Sequence, residues 1–127
     1  VLAAHALTLD EHRPEAVAKR RKLGARTARE NVADLCDPGS FIEFGALGIA
    51  AQRRRRSVED LQKNTPADGM VAGFGTVNAE LFGEDSTRCA VMAYDYTVLA
   101  GTQGHTNHKK KDRLFELAAE WETPIVF

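Results

Sequence analysis

Residues 68–77 read DGMVAGFGTV, and this stretch, with the strand and helix after it, indicates the fold. Its first residues, with the Pro-Ala pair before them, predict a turn. Met70–Val77 predicts a strand in which Gly73 and Gly75 share one face and leave room for a close approach to the backbone. Arg88–Tyr94 predicts a second strand, whose nearly continuous apolar run is typical of burial on both faces. We expect the two strands to pair as a hairpin across a loop longer than a tight turn requires.

A helix and a third strand are predicted downstream of this hairpin. The loop Leu99–Gly104 leads into the helix, and the spacing i, i+3, i+4, i+7 predicts its apolar face. The residues of that face are Leu114, Leu117, Ala118 and Trp121. Thr123-Pro124 ends the helix, and a buried strand comes next. The order strand, strand, helix, strand indicates an α/β fold built from ββα units of a superhelix.

The N-terminal half predicts helices and a strand entry. Asp10 is expected to cap a helix that ends at Gly24. A second helix is predicted from one apolar face, formed by Ala28, Val32, Leu35 and Cys36. Phe41–Phe44 is a short strand candidate, and Ser57 with the acidic residues after it resembles a helix start.

The composition is that of an ordinary globular domain. Of the 127 residues, 43% are hydrophobic and 28% charged, and 17 basic residues oppose 18 acidic ones. No global field therefore attracts the chain to nucleic acid or to anionic lipid. No apolar stretch approaches the ~20 residues of a membrane span, and Val1–Ala4 lacks the features of a signal peptide. Cys36 and Cys89 form no CxxC unit, so we expect reduced core thiols in one cytoplasmic domain.

The C-terminal residues 123–127, TPIVF, predict a strand just entered after a turn. An unpaired edge strand exposes backbone donors and acceptors. We therefore expect this chain to be a piece of a longer one, or its sheet to be completed by a partner.

The loop Leu99–Gly104 is the most informative local feature for chemistry. Glycines at a strand-to-helix turn let backbone N–H groups point outward, and the helix N-terminus adds partial positive charge. Such a site suits a phosphate or the developing oxyanion of a thioester carbonyl. The spacing is neither GxGxxG nor a Walker A loop, which leaves a dinucleotide or nucleoside triphosphate unsupported. The alternative is that the glycines only make a close turn.

Basic residues form two runs, Lys109–Lys111 with Arg113 and Arg53–Arg56. A helix spreads the first run over a wide arc, so its members cannot all reach one ligand. Each run is either a solvated face or a source of contacts to the phosphates of CoA, and arginine binds phosphate bidentately. The arginine run would also suit nucleic acid or a subunit contact.

The sequence gives little indication of a metal site or of a catalytic acid or base. His105 and His108 stand three apart, but no HExxH and no cysteine or carboxylate cluster accompanies them, so no metal is expected. Asp95 is expected to make a loop or capping hydrogen bond rather than to act as an acid or base. No Ser/His/Asp order, Cys/His pair or carboxylate pair stands out.

Three segments in the same order resemble the carboxyltransferase domain of biotin-dependent acyl-CoA carboxylases of the acetyl-, propionyl- or long-chain acyl-CoA type. Residues 24–43 are similar to the family's opening helix G-K-x-T-A-R-E-R and its strand entry L-D-x-G-S-F-x-E. Residues 68–77 resemble D-G-V-V-x-G-x-G-x-V, and residues 95–104 resemble D-F-T-V-x-G-G-S-x-G, with Lys110 at a usual lysine position. The chain departs from the pattern at Ala25, which replaces a lysine, at Ala100, which replaces a glycine, and in its longer hairpin loop.

The resemblance implies a crotonase-like fold of the ClpP/crotonase type, incomplete in this chain, and carboxyl transfer from carboxybiotin to the α-carbon of an acyl-CoA. Residues 1–45 would be the N-terminal helices and strand entry of the domain, and residues 68–127 the start of its ββα core. Backbone amides would stabilise the enolate, with Ala100 and Gly101 on the oxyanion side. The family's principal oxyanion glycines would lie past Phe127, so this segment alone would supply acyl-CoA-binding surface without activity.

The resemblance also implies the ligands and partners. The CoA-side residues it suggests are Arg26, Arg29, Ala100, Gly101, Thr102, Gly104 and Lys110. Expected partners are acyl-CoA, a biotinylated carrier, a biotin carboxylase domain or subunit, and further copies of the chain, with no metal, membrane or nucleic acid. Two alternatives stay open: a biotin-dependent decarboxylase subunit, and a non-catalytic acyl-CoA or protein-binding module of the same fold. The resemblance leans towards single-chain multidomain enzymes because of the segment 105–108.

Overall fold

The computed structural model describes residues 1–127 as helices packed on a small mixed sheet. The helices are α1 (Leu2–Ala6), α2 (Pro14–Lys22), α3 (Ala28–Leu35), α4 (Val58–Asn64), α5 (Ala79–Phe82), α6 (Glu84–Thr87) and α7 (His105–Glu120). The strands are β1 (Ile42–Glu43), β2 (Met70–Thr76), β3 (Arg88–Tyr94) and β4 (Ile125–Val126). None of the helices combines the length and the apolarity that crossing a bilayer requires.

The sheet confirms the predicted strand order. Its strands run β1-β2-β3-β4, and β2 pairs with β3 as an antiparallel hairpin in which Gly73 lies opposite Val91. Strand β4 pairs with β3 in parallel, with Ala90 opposite Ile125, so α7 is the crossover between them. The hairpin and the helical crossover form one ββα unit that leads into the next strand. The long hairpin loop folds into the short helices α5 and α6, which leave Leu81 and Phe82 exposed.

Each face of the β2–β3 hairpin is covered by one helix. On the first face α7 buries Leu114, Leu117 and Ala118 against the strands, and Trp121 packs on Phe74 with ring centroids 4.9 Å apart. On the other face the apolar side of α3 forms a second cluster with both buried free cysteines. The residues of that cluster are Ala28, Val32, Cys36, Val71, Cys89 and Val91. Burial on two sides explains the continuous apolar run of β3.

The glycines of β2 make room for the chain itself. A Cβ at Gly73 would lie 2.1 Å from the Ile42 carbonyl oxygen, and one at Gly75 would lie 2.9 Å from Cys36 Sγ. Neither distance is tolerable for a real side chain. The close approach predicted at these glycines is therefore made by β1 and by the end of α3, rather than by a ligand.

The N-terminal helices differ in part from the prediction. The predicted cap at Asp10 is wrong, because Asp10 lies in a separate 3-10 turn and α2 begins after Arg13. The Asp10 carboxylate instead accepts a hydrogen bond from Thr27 Oγ1 at 2.6 Å. The predicted break at Gly24 is confirmed by its φ of +64°, a value suited to glycine. The predicted helix start at Ser57 is also confirmed, since Ser57 Oγ accepts the Asp60 N–H.

Candidate functional site

The turn between β3 and α7 is bent by residues in left-handed conformations. Leu99, Ala100 and Gly101 have φ of 46°, 53° and 76°. Such values cost a non-glycine residue roughly 1–2 kcal/mol, so surrounding contacts must hold this turn in place. Ala100 is exposed at the surface of the bend.

Asp95 and Arg13 hold the near end of the turn. Asp95 accepts the Thr97 N–H at 2.9 Å, and its backbone N–H donates to the Gly69 carbonyl at 2.9 Å. Arg13 donates to the Asp95 carboxylate at 2.7 Å and to Thr97 Oγ1 at 2.8 Å, in a nearly buried ion pair. This confirms the predicted loop role of Asp95.

Several backbone N–H groups at the far end of the turn have no acceptor in the chain. The amides of Gly101 and Thr102 close the turn on the carbonyls of Val98 and Leu99, at 2.9 and 3.0 Å. The N–H groups of Ala100, Gln103 and Gly104 make no such bond. The first helical amides, of His105 and Thr106, have no partner inside a helix either. Unpaired donors therefore occur at the bend and in the segment that leads into α7, whose first turn carries the positive end of the helix dipole.

A buried carboxylate fixes the start of α7. Asp68 is 1% exposed, and its Oδ2 accepts the Asn107 N–H at 2.8 Å. The Asn107 side-chain amide donates back to the Asp68 carbonyl at 3.1 Å. A Cβ at Gly104 would lie 2.5 Å from Asp68 Oδ2. Glycine is therefore required at position 104 so that the carboxylate can reach the helix.

Lys110, about one helical turn after the start of α7, binds the backbone on either side of Asp68. Its Nζ donates to the Ala67 carbonyl at 3.0 Å and to the Met70 carbonyl. Burial lowers the pKa of Lys110 to about 8, an effect that the Glu43 and Asp68 carboxylates oppose and Arg29 strengthens. The neighbouring Lys109 is exposed, as expected from the wide arc of the basic run.

Arg29 and Arg26 are engaged with the chain's own carboxylates. The Arg29 guanidinium makes a fork on Glu43, at 2.8 and 3.0 Å, and its Nε donates to the Thr8 carbonyl. Arg26 donates to Asp34 at 3.0 Å, with its side chain 48% exposed. Lys110 and the Arg29–Glu43 pair are close enough to influence one another electrostatically. The suggested loop residues and Lys110 lie in the turn into α7 or in the first turns of that helix, whereas Arg29 lies on α3 and Arg26 lies just before it.

The predicted histidine pair is exposed on α7. His105 and His108 both face solvent in the first turn of the helix. No three histidine, cysteine, aspartate or glutamate side chains gather closely enough to hold a metal ion.

Sequence reasoning missed the contacts of Asp68. The turn at 66–69 is predictable, but nothing local indicates that its aspartate caps a helix 39 residues later. The sequence shows an Asp-Gly pair in that turn and Gly104 before the predicted helix, but neither of these features points to the other.

Comparison with known proteins identifies the family. The family model described as Carboxyl transferase domain matches residues 19–127. The biotin-dependent long chain acyl-coenzyme A carboxylase beta4 subunit of Mycobacterium tuberculosis is 38% identical over 112 residues, which are 88% of this chain and 19% of that protein. The propionyl-CoA carboxylase beta chain of Saccharopolyspora erythraea is 35% identical over 112 residues, 87% of this chain and 18% of that protein. This chain thus spans about a fifth of the curated relatives it matches.

A solved structure agrees with this match. A single-chain, multi-domain long-chain acyl-CoA carboxylase superposes with a TM-score of 0.95 at 63% identity, over 98% of this chain and 12% of that one. The predicted α/β, crotonase-like fold and the family resemblance are thereby confirmed, with the fold incomplete in this chain. The chain belongs to the carboxyl transferase domain family, together with the biotin-dependent acyl-CoA carboxylase subunits that it matches.

Proposed function

We propose that this chain is part of a carboxyltransferase that moves a carboxyl group from carboxybiotin to the α-carbon of an acyl-CoA. The observation that carries the proposal is the set of unpaired N–H groups at Ala100, Gln103 and Gly104 beside the start of α7, in a member of this family. In this proposal the segment supplies acyl-CoA-binding surface. Other parts of the protein complete the active site, so that the segment alone is inactive.

The amides suit the charge that develops in this reaction. Removing a proton from the α-carbon of a thioester moves negative charge onto the carbonyl oxygen. N–H groups already aimed at that oxygen stabilise the charge without reorganising. Carboxybiotin is the co-substrate that supplies the carboxyl group: its carboxyl carbon leaves the ureido nitrogen and bonds to the α-carbon, and the proton removed from the α-carbon ends on that freed nitrogen.

The suggested site residues take different parts in the proposal. Ala100 and Gly101 form the bend on the oxyanion side, and the Gly101 N–H is used to close that bend. Thr102 and Gly104 flank the acyl end. Arg26, Arg29 and Lys110 supply positive potential on the CoA side. Arg26 is the most exposed of these cations and needs the smallest rearrangement to meet a ligand.

The proposal extends to the organisation of the protein. Residues 1–45 are taken as the N-terminal helices and strand entry of the carboxyltransferase domain, and residues 68–127 as the start of its ββα core. We propose a biotinylated carrier and a biotin carboxylase, as domains or subunits, for partners. A related transcarboxylase 12S structure is described as a hexamer, with a TM-score of 0.68 and 30% identity, which supports a homo-oligomer. Free buried thiols at Cys36 and Cys89 suit a cytoplasmic location.

The test is a transfer assay on the full-length protein with labelled carboxybiotin on its carrier and a series of acyl-CoA thioesters. The proposal expects label in the acyl-CoA product. Binding of acyl-CoA without transfer would instead favour a binding module, and net transfer only in the opposite direction, from a labelled carboxyacyl-CoA to biotin, would favour a decarboxylase subunit.

Variants at Ala100 link the assay to the structure. Valine is strained at a left-handed φ because it is β-branched, so Ala100→Val should distort the turn and lower kcat about 10²-fold. Ala100→Gly should keep activity, because glycine accepts this conformation. The matched control is Ala119→Val, at an exposed alanine on the last turn of α7. Equal activity in Ala100→Val and Ala119→Val would reject the role of the turn.

A further inference from the structure

The bend before α7 is tied to a residue that precedes the family match. That match covers residues 19–127, so Arg13 lies outside it, whereas Asp95 and Thr97 lie inside it. Arg13 is the residue before α2, and its guanidinium reaches the carboxylate of Asp95, 82 positions away along the chain. The bend at Leu99–Gly101 therefore depends on a contact from a part of the chain that the family match leaves out.

The Arg13 guanidinium contacts two side chains of this loop at once. One of its nitrogens donates to Asp95 Oδ2 at 2.7 Å, and the other donates to Thr97 Oγ1 at 2.8 Å. Thr97 Oγ1 in turn donates to Asp95 Oδ1 at 2.5 Å, so the three side chains close a ring of hydrogen bonds. The side chains of the ion pair are only 10% and 12% exposed. Water therefore competes little with these charge-assisted bonds.

The backbone connects this ring to the bend. The Val98 N–H donates to the Asp95 carbonyl at 3.0 Å, and the Gly101 N–H donates to the Val98 carbonyl at 2.9 Å. Val98 is buried, with 1% of its surface exposed. The Ala100 N–H lies between these two bonds, so its direction depends on where Asp95 is held.

Helix α2 contacts the same loop at a second point. The Arg20 guanidinium lies over the Tyr96 ring, 5.7 Å from the ring centroid. The Tyr96 ring packs on the bend, because a Cβ at Gly101 would come within 3.1 Å of it. Arg13 and Arg20 thus hold the loop from the two ends of one helix.

We propose that Arg13 is a positioning residue for carboxyl transfer, acting through Asp95 and Thr97 on the N–H groups of the bend. Arg13 itself touches no substrate. It fixes the direction of donors that must point at the developing oxyanion, and a displaced donor stabilises that charge less. The inference rests on the proposed function for the identity of the reaction.

The test uses the full-length enzyme with Arg13→Ala, which leaves the Asp95 carboxylate without its cation. The kcat for carboxyl transfer should fall about 10- to 100-fold. The KM for acyl-CoA should change less than about threefold, because the oxyanion forms only in the reaction. Millimolar guanidinium ion should restore part of the lost kcat, since Arg13 and Thr97 line an open cavity of about 350 Å³. Urea at the same concentration is planar but uncharged and should restore nothing.

Two further variants complete the test. Arg13→Lys keeps the charge but cannot donate to Asp95 and Thr97 in the same way, so its kcat should lie between those of Arg13→Ala and the wild type. The matched control is Arg21→Ala, on the same helix, whose guanidinium pairs with Glu30 of α3 instead of with the loop. It should keep the wild-type kcat.

A wild-type kcat in Arg13→Ala would overturn the inference. So would a rise in KM at constant kcat, equal losses in Arg13→Ala and Arg21→Ala, or equal rescue by urea and guanidinium. If Arg13→Ala does not fold, Arg13→Lys decides, and a wild-type kcat in that variant overturns the inference.

Hydrogen exchange separates this outcome from that of the transfer assay. The amides of Val98 and Gly101 should exchange faster in Arg13→Ala than in the wild type. If they do but the wild type moves no carboxyl group, Arg13 holds the bend and the proposed function fails. If the wild type transfers the carboxyl group and Arg13→Ala matches its kcat, the proposed function stands and the positioning role fails.

Discussion

At the scale of single residues, the start of α7 depends on one carboxylate, one glycine and one lysine. Asp68 accepts the Asn107 N–H, Gly104 leaves space for that carboxylate, and Lys110 ties the carbonyls of the turn before β2. Ala67 and Asp68 have φ of 53° and 46° in that turn. The Asp68 carboxylate thus accepts a hydrogen bond from one of the first amides of the helix. The N–H groups of Gln103 and Gly104, nearer the bend, stay without an acceptor.

A methyl group at position 104 should loosen the start of α7. In Gly104→Ala the Cβ would fall 2.5 Å from Asp68 Oδ2, and such overpacking costs about 1–3 kcal/mol. Amide hydrogen exchange in the first turns of α7 should therefore be faster. The control is Gly24→Ala at the end of α2, where the added Cβ meets nothing within 4 Å but the left-handed φ of +64° strains the alanine, so it matches a loss of stability without a clash at α7. Unchanged exchange in α7 of Gly104→Ala would mean that Asp68 does not fix the helix start.

The buried amine should make stability rise with pH. The pKa of Lys110 is about 8 in the folded chain against 10.5 as its ordinary value. Between these values the unfolded state holds a proton that the folded state has released, so the free energy of unfolding increases as pH rises from about 8 towards 10.5. Below pH 8 both states are protonated and nothing changes.

The measurement compares wild type with Lys110→Met by urea unfolding at pH 7 and pH 10. Other groups titrate in both proteins and cancel in the difference. Between pH 7 and pH 10 the free energy of unfolding should rise by roughly 2 kcal/mol more in the wild type than in Lys110→Met. Parallel pH profiles would show that Lys110 has an ordinary pKa.

At the scale of secondary-structure elements, α3 is held by its N-terminal cap and by pairs that tie it to its neighbours. Thr27 Oγ1 accepts the Glu30 N–H at 3.1 Å while the Glu30 carboxylate accepts the Thr27 N–H at 2.8 Å. Thr27 also donates to Asp10, and Arg29 reaches β1 through Glu43. These contacts hold α3 over the cysteine-bearing face of the sheet.

Removing the cap should expose the first turn of α3. Thr27→Ala deletes both hydrogen bonds of the hydroxyl and should cost about 1 kcal/mol. Hydrogen exchange in the first turn of α3 should be several-fold faster. Thr27→Ser keeps the hydroxyl and should restore the wild-type rates. If the serine and alanine variants exchange equally fast, the methyl group of threonine matters and the cap does not.

Elements that depend on local pattern are predictable from the sequence, whereas contacts between distant residues are not. The apolar run of β3 and the stripe of α7 depend on neighbouring residues, and both predictions are confirmed. The Arg13–Asp95 pair joins residues 82 positions apart, and the role of Asp10 depends on Thr27 in another helix. The residues after Asp10 fit a helix start, and this local pattern predicts that Asp10 caps the helix that follows it. The hydrogen bond with Thr27, which lies far along the chain, holds Asp10 elsewhere.

At the scale of the whole molecule, α3 and α7 cover opposite faces of the β2–β3 hairpin. Helix α3 covers one face through the cluster that includes Cys36 and Cys89, and α7 covers the other face and presents its N-terminus to the bend at Ala100. This end of the molecule is where we propose that the acyl group binds.

The most direct measurement is a structure of the full-length enzyme with a bound, unreactive acyl-CoA analogue. The thioester carbonyl oxygen should lie about 3 Å from the N–H of Ala100 or of a residue in 103–106. A thioester held far from this bend would mean that the start of α7 does not receive the acyl group.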